Sequence, residues 1–334
     1  MNIISEVLSA CVSSAKAEPL KLDEGKHGMY RPRGQFHVML LMPFGSGKSS
    51  GLIGVKGKEV YNMGKANLPG IVGTIKKDGY YNPGAAELGA GKVWLHDECH
   101  NMTESGREAM LKLLEGEVAS RNLGFKLRNK IKKNKKYFKL YANDGHMNVQ
   151  SSFSCVSSGL FAHRKRMNDF AFISRYFPLK IRLTLREAFE ASRGKKIFDV
   201  KPDYYTETPV FEDYLKFVDA YENIVLLLKD SNRKLYDFLS ENYGYIRRNI
   251  VDFSRFFAWV SRGRGSVDDW EKYLGYIPVS LYNYATSTLT LTEFEILDEF
   301  QRQETGKEIA SKVSVSENYV SDTLKKLRGL GLVG

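Results

Sequence analysis

The sequence predicts an α/β protein: a buried parallel sheet, then a long helical segment, then a small trihelical unit. Three observations predict it. From Phe36 an apolar, strand-like run stops at Gly45-Ser46-Gly47, and Lys48, Ser49 and Ser50 follow at once. A second short apolar run, from Lys92, ends in two carboxylates, Asp97 and Glu98. From Leu291 onward the apolar spacing is that of three short helices joined by brief turns.

The first run has the order of a phosphate-binding loop between a buried parallel strand and a helix. Its glycines let backbone N–H groups close on phosphate oxygens, and a helix N-terminus adds partial positive charge. Gly45, Ser46, Gly47, Lys48, Ser49 and Ser50 are thus the expected nucleotide contacts, with Lys48 on the terminal phosphates and the Ser49 hydroxyl on Mg²⁺. The usual pattern is G-x-x-x-x-G-K-[ST], and Met42 stands at its first glycine. A Gly/Ser turn that merely precedes a lysine is the plain alternative. The second run argues against it. A parallel strand that delivers Asp97 and Glu98 beside such a loop supplies what ATP hydrolysis needs: Asp97 holds the Mg²⁺ shell and Glu98 orients and polarises the attacking water. An acidic cap on the next helix, which begins near Thr103, accounts for Asp97-Glu98 alone but not for the pairing. ATP and Mg²⁺ are the expected cofactors. His96, within that strand, reads as a filler.

With 334 residues the chain suffices for two or three compact units. No apolar run approaches bilayer length, and the start, Met-Asn-Ile-Ile-Ser-Glu, has no secretory pattern. Cys11, Cys99 and Cys155 are scattered. The expectation is a reduced, cytoplasmic protein with no membrane partner. The formal charge is +11. Such a surplus points to nucleic acid where it is concentrated, and here it is. Lys126, Arg128, Lys130, Lys132, Lys133, Lys135, Lys136 and Lys139 fall in one stretch, interleaved with apolar residues and free of acidic ones. A hairpin with a basic tip at Lys132 to Lys136 is expected, making phosphate contacts without base readout.

In the remaining order, residues 1–18 carry a helical stripe (Ile4, Val7, Leu8, Cys11, Val12, Ala15) that Pro19 ends. Residues 20–34 read as a linker. Thr103 to Glu115 reads as an amphipathic helix with Met110, Leu113 and Leu114 inward. Phe153 to Gly159 is another short buried strand. At Ile173-Ser-Arg175-Tyr-Phe a turn carries an arginine into a final strand, where Arg175 can meet a phosphate of a neighbouring subunit. Residues 186–285 are helical in character. One stripe there is Phe211, Tyr214, Leu215, Val218 and Tyr221, and a later helix bears Arg247, Arg248 and Arg255 beside Ile250, Phe253, Phe256 and Phe257. The last unit reads as a winged helix-turn-helix whose wing starts at Gly331. Its third helix places Ser316, Asn318, Tyr319, Ser321, Lys325 and Lys326 outward as DNA contacts. Such modules also dock proteins.

Taken together, these residues resemble AAA+ ATPases, and within them the minichromosome maintenance (MCM) helicase group, over about residues 36–334. Gly45 to Ser49 is similar to that family's Walker A loop, and Glu87 to Met102 with Gly116-Glu-Val-Ala-Ser to its Walker B segment and sequel. The lysine run falls where the family has a presensor hairpin. Arg175 matches its trans-acting arginine finger. Tyr245 to Arg255 resembles its lid helix, with Arg248 at the sensor 2 position, and Ser158 stands where the family places a sensor 1 asparagine. The resemblance implies nucleotide contacts for Ser158 and Arg248, a homo-oligomer, expected to be a hexamer, and single- or double-stranded DNA as partner. The expected layout is an N-terminal helix and linker (1–35), an AAA+ core (36–185), a helical lid (186–285) and a winged helix (286–334). The expected function is a replicative DNA helicase. The rival is a non-translocating, ATP-controlled origin-binding, helicase-loading or transcription-regulating protein.

Overall fold

The computed structural model describes residues 3–24, 28–42, 59–63, 66–75, 81–97, 99–122, 146–160, 170–181, 184–193, 198–207, 210–264, 270–287 and 289–333. Its centre is a sheet of five parallel strands: β1 (His37–Met42), β2 (Val60–Asn62), β3 (Val93–His96), β4 (Ser154–Leu160) and β5 (Phe177–Lys180), in the spatial order β5-β1-β4-β3-β2. Both faces are covered, which is why β1 and β3 read as nearly continuous apolar runs. Along β1, Val38 and Leu40 join one apolar cluster and Met39 and Leu41 the other. The second face packs on α2 (Glu104–Leu114), where Met110, Leu113 and Leu114 are buried as expected. The Thr103 hydroxyl accepts from Gly106 N–H and starts that helix.

Beyond α2 the chain forms an antiparallel ribbon, Ala119–Asn122 against His146–Val149. The lysine-rich run lies between these two strands in sequence. The run itself, with Lys130, Lys132, Lys133, Lys135 and Lys136, is outside the described residues.

The first face of the sheet packs on α1 (Ile3–Ser13) and on the helices that follow: α3 (Tyr214–Ser231), α4 (Arg233–Glu241), α5 (Gly244–Trp259) and α6 (Tyr276–Ser287). The stripe expected in α3 is partly displaced: Phe217 is buried and Leu215 is about half exposed. At 3.6 residues per turn, the face that holds Tyr214, Phe217 and Tyr221 turns position 215 to solvent.

More of α1 is buried than a single stripe requires; all residues from Ser5 to Ser13 are inaccessible. The reason lies in three serines one turn apart. Ser5 Oγ accepts from Asp199 N–H (3.2 Å), Ser9 Oγ from Lys201 N–H (2.9 Å) and Ser13 Oγ from Asp203 N–H (2.9 Å). Four helical residues rise about 6.0 Å and two extended residues span about 6.6 Å, so the steps match. An extended strap is thereby held along a helix by side-chain acceptors in place of a partner strand. Substituting Ser9→Ala orphans the Lys201 N–H and is expected to cost about 1–2 kcal/mol. Urea unfolding checks this, and an unmoved midpoint in the Ser5/Ser9/Ser13 triple alanine variant refutes the ladder.

The chain ends in a three-helix unit: α7 (Leu291–Gln301), α8 (Gly306–Val313) and α9 (Glu317–Gly329). Thr290 with Glu293 and Thr305 with Glu308 form reciprocal capping boxes. Ser314 takes the left-handed conformation that closes α8, and the Ser316 hydroxyl caps α9. The wing expected at Gly331 does not start there. Leu332 and Val333 are buried, and the Gly331 carbonyl accepts from Asn232 Nδ2 at 2.6 Å. Gly331 is left-handed (φ 66°), and a Cβ there would lie 2.0 Å from the Leu235 backbone nitrogen. Close docking on α4 therefore takes the place of a strand. No helix among the described residues is long and apolar enough to cross a membrane.

Candidate functional site

The carboxyl edge of a parallel sheet is where ligands bind in open α/β folds. At that edge β1 ends in Met42, paired with Leu160, and the chain leads directly into the glycine loop. Gly45, Ser46, Gly47, Lys48, Ser49 and Ser50 lie outside the described residues, as does Glu98. Asp97 is described. It follows His96 at the end of β3, half-buried, and its Oδ1 accepts a hydrogen bond from the Ser158 hydroxyl. Strand β4 makes this contact possible because it lies between β1 and β3 and sets Ser158 level with Leu40 on β1. A carboxylate oriented by a neighbouring hydroxyl fits a Mg²⁺ shell, which takes one or two protein oxygens and completes itself with phosphate and water. His96 is buried within β3.

Arg175 lies at the opposite edge. Phe177 pairs with Val38, near the start of β1, whereas Asp97 is level with Leu40 and three strands away. The backbone offset is roughly 13 Å along the strands and roughly 14 Å across them. One chain cannot lay Arg175 and Asp97 on the same phosphate.

Arg175 instead faces a cavity of about 520 Å³ lined by Arg33, Glu115, Arg175, Arg247, Arg248, Asp252 and Arg255, with Tyr30 and Tyr243. Its centre is Glu115, the residue that closes α2. Glu115 Oε1 lies 2.9 Å from Arg175 Nε and 3.1 Å from Arg248 Nη1. Arg248 also reaches the Ser174 carbonyl at 3.4 Å. Arg175 and Arg248, read from separate parts of the sequence, therefore meet at one carboxylate.

Deeper in, Arg255 Nη1 binds Asp252 Oδ1 at 2.6 Å, and its Nε donates to the Arg33 carbonyl at 2.8 Å. Burial raises the Asp252 carboxyl to about 6, against the pull of Arg255. Arg33 donates to the Leu113 carbonyl and to His37 Nε2. Burial and the nearby Arg255 push its guanidinium down to about 9. Burial first, and then the charge of Arg33, hold the His37 imidazole well below its usual value, so it is neutral. Arg33, His37 and Glu115 are not among the expected site residues: Arg33 lies in the stretch read as a linker, His37 at the start of β1 and Glu115 at the end of α2, away from the motif positions themselves.

Of the other expected contacts, Ser316, Asn318, Tyr319, Ser321, Lys325 and Lys326 are all exposed on or beside α9. Lys326 is paired with Glu293 (2.7 Å) and Lys325 with Asp322 (3.2 Å). Among the described residues, no group of three His, Cys, Asp or Glu side chains gathers to hold a metal.

No protein-family model matches the chain, and a search of curated proteins finds no significant relative.

Proposed function

We propose that this chain is an ATP-dependent DNA motor of AAA+ type, similar to MCM helicases, that works as a ring or open spiral of identical subunits. One observation carries the reading. In the β5-β1-β4-β3-β2 sheet the loop-bearing strand and the Asp97 strand end at the same edge, with Ser158 between them in contact with Asp97. That is the arrangement a triphosphate and Mg²⁺ need. When bound, the ion supplies charge neutralisation at the transferring phosphoryl group. Lys48 and Ser49 would hold the nucleotide and ion, Asp97 would share the ion, and Glu98 would take up the proton of the attacking water.

The position of Arg175 supports assembly. From the far edge it serves only a nucleotide bound to another copy, and Arg248 is drawn to the same side. The described ribbon supports DNA contact, since the eight basic residues from Lys126 to Lys139 lie between its two strands in sequence. The three-helix unit is a second DNA-facing element, with α9 outward.

The test is a strand-displacement assay with single-turnover hydrolysis, run with and without single-stranded DNA. Wild type is expected to unwind in an ATP-dependent way, and Lys48→Ala to lose both unwinding and at least about 10²-fold in hydrolysis. Tight duplex binding with ATP turnover but no unwinding would assign the chain to the non-translocating switch class. Absence of ATP turnover in the wild type would end both readings.

A further inference from the structure

We propose that Glu115 is a built-in stand-in for phosphate. In a lone copy it occupies Arg175 and Arg248, and the terminal phosphate of a nucleotide on an adjoining copy displaces it, loosening the root of the basic ribbon. The adjoining copy is taken from the reading above; the rest comes from the geometry of this cavity.

A single oxygen of Glu115 serves both arginines, at 2.9 and 3.1 Å. Arg175 Nη1 also donates to the Ala171 carbonyl and Arg248 Nη1 to the Ser174 carbonyl, so both guanidiniums are already turned toward this cavity wall, and a terminal phosphate offers them more charge and bidentate geometry than one carboxylate oxygen. All three side chains are partly open to solvent, at 19 % for Arg175, 35 % for Arg248 and 37 % for Glu115. Exchange therefore needs no unfolding. Five arginines line the cavity against two carboxylates, and the Arg33 guanidinium is lowered by burial first and then by the neighbouring Arg255. An anion entering here meets an unbalanced cationic wall.

Glu115 also sits where movement would matter. Gly116 follows it in a left-handed turn (φ 74°), and the first ribbon strand starts at Ala119. The Gly116 carbonyl accepts from Gln150 Nε2 at 2.7 Å, directly after the second ribbon strand. Both ribbon strands are thus rooted within a few residues of the carboxylate. A change in what Arg175 and Arg248 hold becomes a change at the base of the segment that carries the lysines.

The experiment titrates the full chain with inorganic tripolyphosphate by calorimetry, in a Lys48→Ala background that silences the chain's own loop. Adding Glu115→Gln, nearly isosteric and partly exposed, is expected to tighten binding about tenfold. Adding Arg248→Ala as well should abolish the gain. Hydrogen exchange at the ribbon amides 119–122 and 146–149 is expected to rise on tripolyphosphate binding and to be raised already in Glu115→Gln. Unchanged or weaker binding by Glu115→Gln, no measurable binding by either protein, or ribbon amides indifferent to the probe would each overturn the proposal. Neither readout needs turnover. Should Lys48→Ala leave ATP hydrolysis intact, the ATPase reading falls while the titration still decides the role of Glu115.

Discussion

Mixing two inactive variants, Lys48→Ala and Arg175→Ala, is expected to restore ATP turnover. Alone, each lacks one half of every interface: the first has no phosphate lysine and the second no arginine for its neighbour. Loss of such an arginine lowers turnover by about 10³-fold or more. In an equimolar mixture that assembles head-to-tail at random, about a quarter of interfaces join an intact loop to an intact arginine. Turnover should recover to about that share of the wild-type rate. The expectation follows from the sheet, because Arg175 precedes β5 at one edge and Asp97 follows β3 at the other. A steady-state ATPase assay across mixing ratios measures it. Strict additivity of two dead proteins, with no recovery, would place Arg175 outside the chemistry and leave its Glu115 contact a purely internal one.

The second large effect concerns DNA. Replacing Lys132, Lys133, Lys135 and Lys136 together by serine should lower affinity for single-stranded DNA by about 10²-fold near 0.1 M salt, because four phosphate contacts and their released counterions are lost. The slope of log K against log salt should fall by about 3. The loss should be uniform across sequences, since such contacts carry no base readout. Basal ATP turnover without DNA should be retained. Fluorescence anisotropy at several salt concentrations measures the slope. An unchanged slope would move the DNA-binding role to α9 or elsewhere, and would remove the main reason for preferring a translocating motor to a switch.

Much of the core could be read from residues alone, for a physical reason. Strands buried on both faces tend to be apolar, so β1 and β3 stand out as short runs, and the polar residues that follow them mark the working edge. Helix starts were legible as well, because Thr103, Thr290, Thr305 and Ser316 each supply a cap oxygen. What could not be read depends on long-range placement. Nothing in the sequence says that β4 lies between β1 and β3, so the Ser158–Asp97 bond comes only from the fold. Glu115 looks like one more acidic residue at a helix end, and Arg33 like part of a basic linker. Leu215 was drawn inward because a 3.6-residue period admits either flank of a stripe. The wing expected at Gly331 is absent from the described residues because Gly331 docks closely on α4 and Leu332 and Val333 are buried there rather than paired as a strand. Ser5, Ser9 and Ser13 did leave a signal, a repeat of four on a helix that needs no hydroxyls, but its partner was an aperiodic strap nearly two hundred residues downstream.

That distance has a consequence for how the molecule is made. The ladder joins positions 194, 192 and 190 apart in sequence. During synthesis α1 leaves the ribosome well before the sheet and strap that cover its buried residues. It has to wait until the chain has grown past residue 203, and closing so wide a loop makes folding slow. A helix made early is thus among the last elements to find its place.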